Sequence, residues 1–218
     1  MMHSLSVSIG SDQHRMPTLQ ETTLQQYLDD VSSASPTPGG GSVAAVVASL
    51  GAALGSMVTA ISRKKSDDAR IAELATACSE FGETFLRLSA EDESAFNAVM
   101  KALKLPKNDP ERARQVEATV QAAAQAPLAV AQSCVALLID LETLGQLASR
   151  HCISDVGAAA HFALAALRSS LLNVHINVTF MTDQDAAKAL QTSARELADE
   201  ATDRCQRIVD HVITRIHD

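Results

Sequence analysis

The sequence predicts an all-α protein, a bundle of six or seven mostly antiparallel helices. Three observations carry this. Apolar residues recur every three or four positions along most of the chain, the period of one helix face. Aromatic residues are only 3 % of the 218, with no Trp and a single Tyr, so the core must be filled by Ala, Leu, Val and Ile, which suits close-packed helices. The 9 Gly and 6 Pro mostly cluster and leave long uninterrupted runs between them. With 46 % hydrophobic residues the chain has enough apolar surface for one domain with a sizeable core.

The elements follow from local signals. Thr18 to Glu21 reads as a capping box, and Leu24, Tyr27, Leu28 and Val31 follow at helical spacing. Ser32 to Gly41 breaks the pattern with prolines and glycines. From Gly41 to Ser62 there is no charged residue. That run is long enough to span a bilayer. Its Gly, Ala and Ser content makes it only mildly hydrophobic, so it is expected to be a central helix buried on all sides, with small residues that let its neighbours approach. Arg63-Lys64-Lys65 suits the negative end of that helix, and Ser66 is expected to cap the next. An apolar stripe from Ile71 to Leu103 then runs until Pro106. Asn108-Asp109-Pro110 is a helix-start signal, and Pro127 predicts a kink or a new start in the helix that follows. Ser154 or Asp155 is expected to cap a helix reaching about Phe180, and Thr182 to open the last one. The helical domain is expected to cover residues 18–218. Met1 to Pro17 has no basic region followed by an apolar run, so it is expected to be a flexible tail, and the protein cytoplasmic.

The net charge of -8 argues against nucleic acid as the main partner, because phosphate binding needs an excess of basic groups. The four cysteines form no C-x-x-C pair and read as buried free thiols. No metal-ligand spacing and no nucleophilic-triad signature is present.

Four features could carry chemistry. Pro36-Thr37-Pro38-Gly39-Gly40-Gly41-Ser42 runs straight into a helix, where glycines permit positive φ and orphan N–H groups suit a negative charge. A tight helix–helix connection is the plainer reading. Arg63-Lys64-Lys65 is either a solvated helix end or a patch for an anionic tail. In Glu91-Asp92-Glu93, Asp92 lies four before Phe96 and seven before Val99, so its carboxylate shares the apolar face and its pKa is expected to rise. In the helix from Ser154, polar groups form two stripes: Ser154, His161, Arg168 and His175, and Asp155, Asn173 and Asn177. Asp155 and Asn173 stand about 27 Å apart on a straight helix. They either line an elongated cleft or meet partner residues across a dimer.

Taken in order, these blocks resemble the cyclodeaminase/cyclohydrolase family of folate enzymes. That family includes the C-terminal domain of formiminotransferase-cyclodeaminase and stand-alone methenyltetrahydrofolate cyclohydrolases. The residues that carry the resemblance are Tyr27 to Val31, Ser35 to Ser42, Gly51 to Val58, Asp92 with Ala95-Phe96, Leu105 to Asn108, Ile153-Ser154-Asp155, and Leu167 to Val174 with Asn177. Two positions depart from the family pattern. Ala148-Ser149 stands where Gly-Asn is usual, and Ser94 where a Glu is common, with Glu93 one place earlier. The resemblance implies a homodimer and a tetrahydrofolate derivative as substrate, with no metal, redox cofactor or membrane needed. It also implies chemistry at the carbon joining N5 and N10: cyclohydrolase first, cyclodeaminase as the alternative, and a non-catalytic folate-binding dimer as a third reading. The site it implies has Asp155 or Asp92 moving protons, with Pro38, Gly39, Gly40, Gly41, Ser42, Lys64, Lys65, Ser154, Arg168, Asn173 and Asn177 holding the substrate.

Overall fold

The computed structural model describes residues 19–218, and among them every regular element is a helix. Six α-helices, α1 (Leu24–Ser32), α2 (Gly40–Ser62), α3 (Ala69–Leu103), α4 (Arg112–Leu147), α5 (Ile153–Val178) and α6 (Gln184–His217), are joined by short connections, with 3-10 turns at Leu19–Glu21 and Arg150–Cys152. α2 packs on α3 and α5, α4 on α3 and α5, and α6 on α5 and α4. The Thr37–Pro38 peptide is cis.

The buried side of α2 is almost bare of side-chain volume, and this sets the spacing of the bundle. A Cβ at Gly51 would lie 3.1 Å from the Ala159 carbonyl oxygen of α5. A Cβ at Gly55 would lie 2.8 Å from the Cys78 sulfur of α3 and 3.4 Å from Leu141 of α4. Ala45, Ala48 and Ala52 on the same side are fully buried. The small residues therefore serve packing within the chain, as small faces on helices do. α2 is not buried on all sides, however. Leu50 and Met57 are 54 % and 39 % exposed, because the bundle covers α2 from one side only. α2 and α4 are long and apolar enough to cross a membrane, yet 44 % and 61 % of their most apolar windows are buried against other helices, as in a core helix.

α2 and α5 run antiparallel. Gly40 at the start of α2 faces Asn173 near the end of α5, Gly51 faces Ala159 and Phe162, and the Ser62 hydroxyl at the end of α2 accepts the Ser149 N–H at 3.0 Å just before α5. Each end of the bundle therefore combines the start of one helix with the finish of the other. α6 is tied down separately. Glu142 of α4 pairs with Arg204 and Arg207 at 2.8 and 2.9 Å, and Glu117 of α4 accepts the Thr182 N–H and hydroxyl at 2.7 and 2.6 Å. These last contacts hold the α5–α6 turn. Cys78, Cys134, Cys152 and Cys205 are buried free thiols, as expected.

Several predicted starts move. Thr18 lies outside the described residues, Leu19–Glu21 is a 3-10 turn, and α1 is capped by Thr23, whose hydroxyl accepts the Gln26 N–H while the Gln26 side chain returns to Thr23. Asp68, not Ser66, caps α3; Ser66 accepts the Asp68 N–H in a preceding turn. The Asn108-Asp109-Pro110 signal forms a turn, with Asp109 accepting the Glu111 N–H at 2.8 Å, and α4 begins at Arg112. Pro127 lies inside α4, which continues through it. α5 emerges from the 3-10 turn with Cys152 as N-cap, so Ser154 and Asp155 sit in its first turn and do not cap it. Asp183, not Thr182, caps α6 through its Oδ1.

Two glycine substitutions test the packing account. Gly55→Ala forces a Cβ onto the buried Cys78 sulfur and should destabilise by about 1–3 kcal/mol. Gly82→Ala, where a Cβ meets nothing within 4 Å, should stabilise by about 0.5–1 kcal/mol through helix propensity alone. Denaturant unfolding of both variants measures the contrast.

Candidate active site

One end of the bundle carries a partly open cavity of ≈ 370 Å³. Its polar end is formed by Pro36, Thr37 and Gly39–Gly41 ahead of and within the first turn of α2, Asp92 on α3, and Asn173 and Asn177 on α5. Its walls are apolar: Phe96, Val99, Met100 and Leu103 of α3, Val116, Val120 and Ala123 of α4, and Ile176 and Phe180 at the end of α5. An apolar cavity with a few convergent polar groups at one end suits a small organic ligand with one polar end.

The polar end is built around the missing side chains of α2. Gly39 has φ -112° and ψ -172°, and no described glycine has a positive φ, so left-handed backbone is not what the glycines supply here. They supply close approach. A Cβ on Gly41 would overlap the Asp92 carboxylate, and one on Gly40 would sit 3.6 Å from the Asn173 amide. With no side chain in the way, Asp92 tucks against the start of α2 beside the Ser42 N–H, one of the orphan donors of the first turn. The Ser42 hydroxyl donates to the Gly39 carbonyl and accepts the Gly39 N–H, both at 3.1 Å, which fixes the loop on the helix.

Burial pushes the Asp92 carboxyl above the ordinary carboxylate range, and the Ser42 N–H only partly offsets it. The neighbouring Glu93 is also raised, first by burial, against the pull of the Ser42 hydroxyl, and further by the charges of Asp92 and Asp30. Tyr27 of α1 closes the cluster. Burial and the Glu93 charge push its phenol up to about 12. Its hydroxyl lies near Ser42 yet makes no hydrogen bond of ordinary geometry. Two raised carboxyls side by side near a helix start form an arrangement suited to holding and releasing a proton. Asn173 donates to the Ser169 carbonyl and Asn177 to the Ala123 carbonyl, each at 3.0 Å, which leaves both amide oxygens without a partner among the described residues.

Of the residues singled out from the sequence, Pro38 belongs to the loop, and Gly39, Gly40, Gly41, Ser42, Asp92, Asn173 and Asn177 come together here. The others do not. Lys64 and Lys65 follow the far end of α2, which at 23 residues is about 34 Å long. Ser154 and Asp155 share that far end, in the first turn of α5, as does Ser149 at one of the two departures from the family pattern. Within one chain they cannot touch a small molecule held by Gly41. Arg168 projects to another side of α5 and donates to the Thr202 hydroxyl of α6 at 3.2 Å. Sequence reasoning missed Tyr27 and Glu93 as site residues. Their signal was available: Tyr27 is the one tyrosine, at an apolar position, and Glu93 adjoins Asp92.

Residues 23–196 match the family model described as formiminotransferase-cyclodeaminase. The chain belongs to that family. It is 33 % identical to the methenyltetrahydrofolate cyclohydrolase of Methylorubrum extorquens, a match covering 89 % of this chain and 98 % of that one. It is 35 % identical to mouse formimidoyltransferase-cyclodeaminase over 76 % of this chain, but spans only 32 % of the mouse protein. The fold matches the crystal structure of the formiminotetrahydrofolate cyclodeaminase of Thermotoga maritima with a TM-score of 0.83 and 26 % identity, covering 89 % of this chain and 98 % of that one. The cavity of this member of the family is closed at its polar end by the contact between Gly41 and Asp92. Gly41→Ala should displace the Asp92 carboxylate and abolish ligand binding in the cavity with helix content intact. Gly40→Ala, where the Cβ finds ordinary contact distance, should keep it. Titration of both variants with a reduced folate, read by circular dichroism and fluorescence, checks the difference.

Proposed function

We propose that this enzyme is a methenyltetrahydrofolate cyclohydrolase whose reaction takes place at the Asp92 end of the cavity. The observation that carries the reading is the near end-to-end match to the Methylorubrum enzyme, together with a half-buried carboxyl of raised pKa at the polar end of an otherwise apolar cavity. The methenyl carbon joins N5 and N10 in a cationic amidine. An ionised Asp92 favours that cation and takes a proton from the attacking water. As the carbon–N5 bond breaks, its electron pair stays on N5, which receives the proton back from Asp92. The second water proton leaves as the formyl carbonyl forms. One water is consumed, one proton is released, and neither a metal nor a redox cofactor is needed. Burial and the Ser42 N–H set the protonation of Asp92. The Asn173 and Asn177 amide oxygens accept from the ring N–H groups.

A second reading, ring closure of 5-formiminotetrahydrofolate with loss of ammonia, is favoured by the match to the Thermotoga cyclodeaminase. The same carboxyl then acts as the acid that protonates departing ammonia. A homodimer in the cytoplasm is part of the proposal. The exposed Leu50 and Met57 of α2 and Leu172 and Ile176 of α5 are apolar surface for the second copy. A monomer in sedimentation at micromolar concentration would remove that element.

Near-ultraviolet absorbance separates the two reactions. The methenyl signal is lost in the hydrolysis and gained in the cyclodeamination. Loss of signal from methenyltetrahydrofolate, well above the spontaneous rate, is expected. Asp92→Asn should lower kcat by about 10²-fold or more, the usual worth of a general base. Wild-type rate should fall as pH drops through the raised Asp92 pKa, while the residual rate of Asp92→Asn stays flat. Stability should move the opposite way. A carboxyl whose folded pKa lies above the ordinary value near 3.8 costs stability as pH rises through the folded value, so Asp92→Asn should melt no lower than wild type at neutral pH. A full rate in Asp92→Asn would remove the assignment.

A further inference from the structure

Pro127 has no backbone N–H, so it cannot supply the bond that the Ala123 carbonyl, four residues earlier, would receive in a regular helix. A proline ring inside a helix also crowds that carbonyl. Both residues are buried, and a buried carbonyl left without a donor is costly. Yet α4 continues unbroken from Arg112 to Leu147. The donor comes from another helix. Asn177 of α5 reaches across and donates its Nδ2 to the Ala123 carbonyl at 3.0 Å. Earlier on α4, Glu117 accepts the Thr182 N–H and hydroxyl, which holds the end of α5 against α4 and keeps Asn177 in reach.

This bond decides which way round the Asn177 amide stands. An amide carries donors on its nitrogen and an acceptor on its oxygen, and the two ends are close in size. The Ala123 carbonyl accepts and cannot donate, so only the nitrogen can meet it. The oxygen is left for the cavity, which Ala123 and Asn177 both line. Asn173 has no such constraint. Its Nδ2 donates to the Ser169 carbonyl of its own helix, which already has the Asn173 N–H as its regular partner. Turning the Asn173 amide over strands no backbone group, whereas turning Asn177 over sets oxygen against oxygen and strands Ala123. We propose that Pro127 is a positioning residue for the site: by emptying the Ala123 carbonyl it locks the Asn177 amide with its oxygen toward the cavity. That point of the cavity then accepts a ligand N–H and rejects a ligand acceptor. The identity of the ligand rests on the folate reading, in which ring N–H groups meet the oxygen; the lock itself does not.

The test uses the full chain and two variants that return an N–H to the Ala123 carbonyl, Pro127→Ala and the bulkier Pro127→Val, so that loss of volume and gain of the donor are separated. The first arm has no folate present. It follows hydrogen exchange of the Asn177 side-chain amide by NMR, with the signal assigned by its loss in Asn177→Ala. Exchange should be slow in wild type and about tenfold faster in both Pro127 variants. The second arm measures turnover of methenyltetrahydrofolate. Pro127→Ala and Asn177→Ala should each raise KM by about tenfold, on the order of one hydrogen bond, and change kcat by less than about twofold. The double variant should again show about tenfold, not the roughly hundredfold of two independent losses, because Pro127 acts through Asn177. Unchanged amide exchange in both Pro127 variants overturns the lock. An unchanged KM in Pro127→Ala, or independent losses in the double variant, overturns its role in holding the ligand. If no folate is turned over while the amide exchange depends on Pro127, the folate reading fails and the lock stands.

Discussion

The near absence of side-chain volume on the buried side of α2 is the constraint on which the rest of the molecule depends. Midway along the helix, Gly51 and Gly55 bring α5, α3 and α4 to within a distance that one methyl group would spoil. At its start, the same economy at Gly41 leaves room for a carboxylate from α3. A chain with 3 % aromatics and an Ala-rich core has few large side chains to fill gaps, so its helices must approach closely to reach interior packing density. Fold and site thus share one physical cause. The stretch that makes close packing possible ends in a helix start where unpaired N–H groups, a buried acid and an apolar cavity meet.

That meeting explains why an acid of raised pKa is tolerated. Burial disfavours the ionised form of Asp92, while the Ser42 N–H and the positive end of α2 favour it. The balance leaves the carboxyl above its ordinary value and still able to ionise. The neighbouring Glu93 and Tyr27 bring no positive charge to the cluster. A lysine or arginine at either position would drive Asp92 to a permanently ionised state and remove its capacity to give a proton back.

Much of this was legible in the sequence, but unevenly. The helical class, the core position of α2 and the partly buried face of Asp92 follow from periodicity and from the lack of charge between Gly41 and Ser62. Helix starts were harder wherever two capping residues lie close together. Ser66 and Asp68 both have the chemistry, and only the path of the chain decides that Ser66 makes the turn and Asp68 the cap. The site was half legible. Its residues could be named from their types, yet periodicity cannot say that α2 and α5 run antiparallel. That register places Gly40 beside Asn173 and leaves Asp155, on the same face of α5, at the other end of the bundle. The exposed edge of α2 was missed for a similar reason, because a helix without charge reads as buried all round, even when the bundle covers it from one side.

The central claim is that folate chemistry belongs to the Gly41–Asp92–Asn173 end of the bundle. A crystal structure with a stable reduced folate such as 5-formyltetrahydrofolate tests it most directly. The account predicts the pterin ring in the cavity, with its N5 side toward the Asp92 carboxylate and its edge on Asn173 or Asn177. A pterin ring bound instead beside Asp155 and Lys64 of the same chain, with the Asp92 cavity empty, would contradict it.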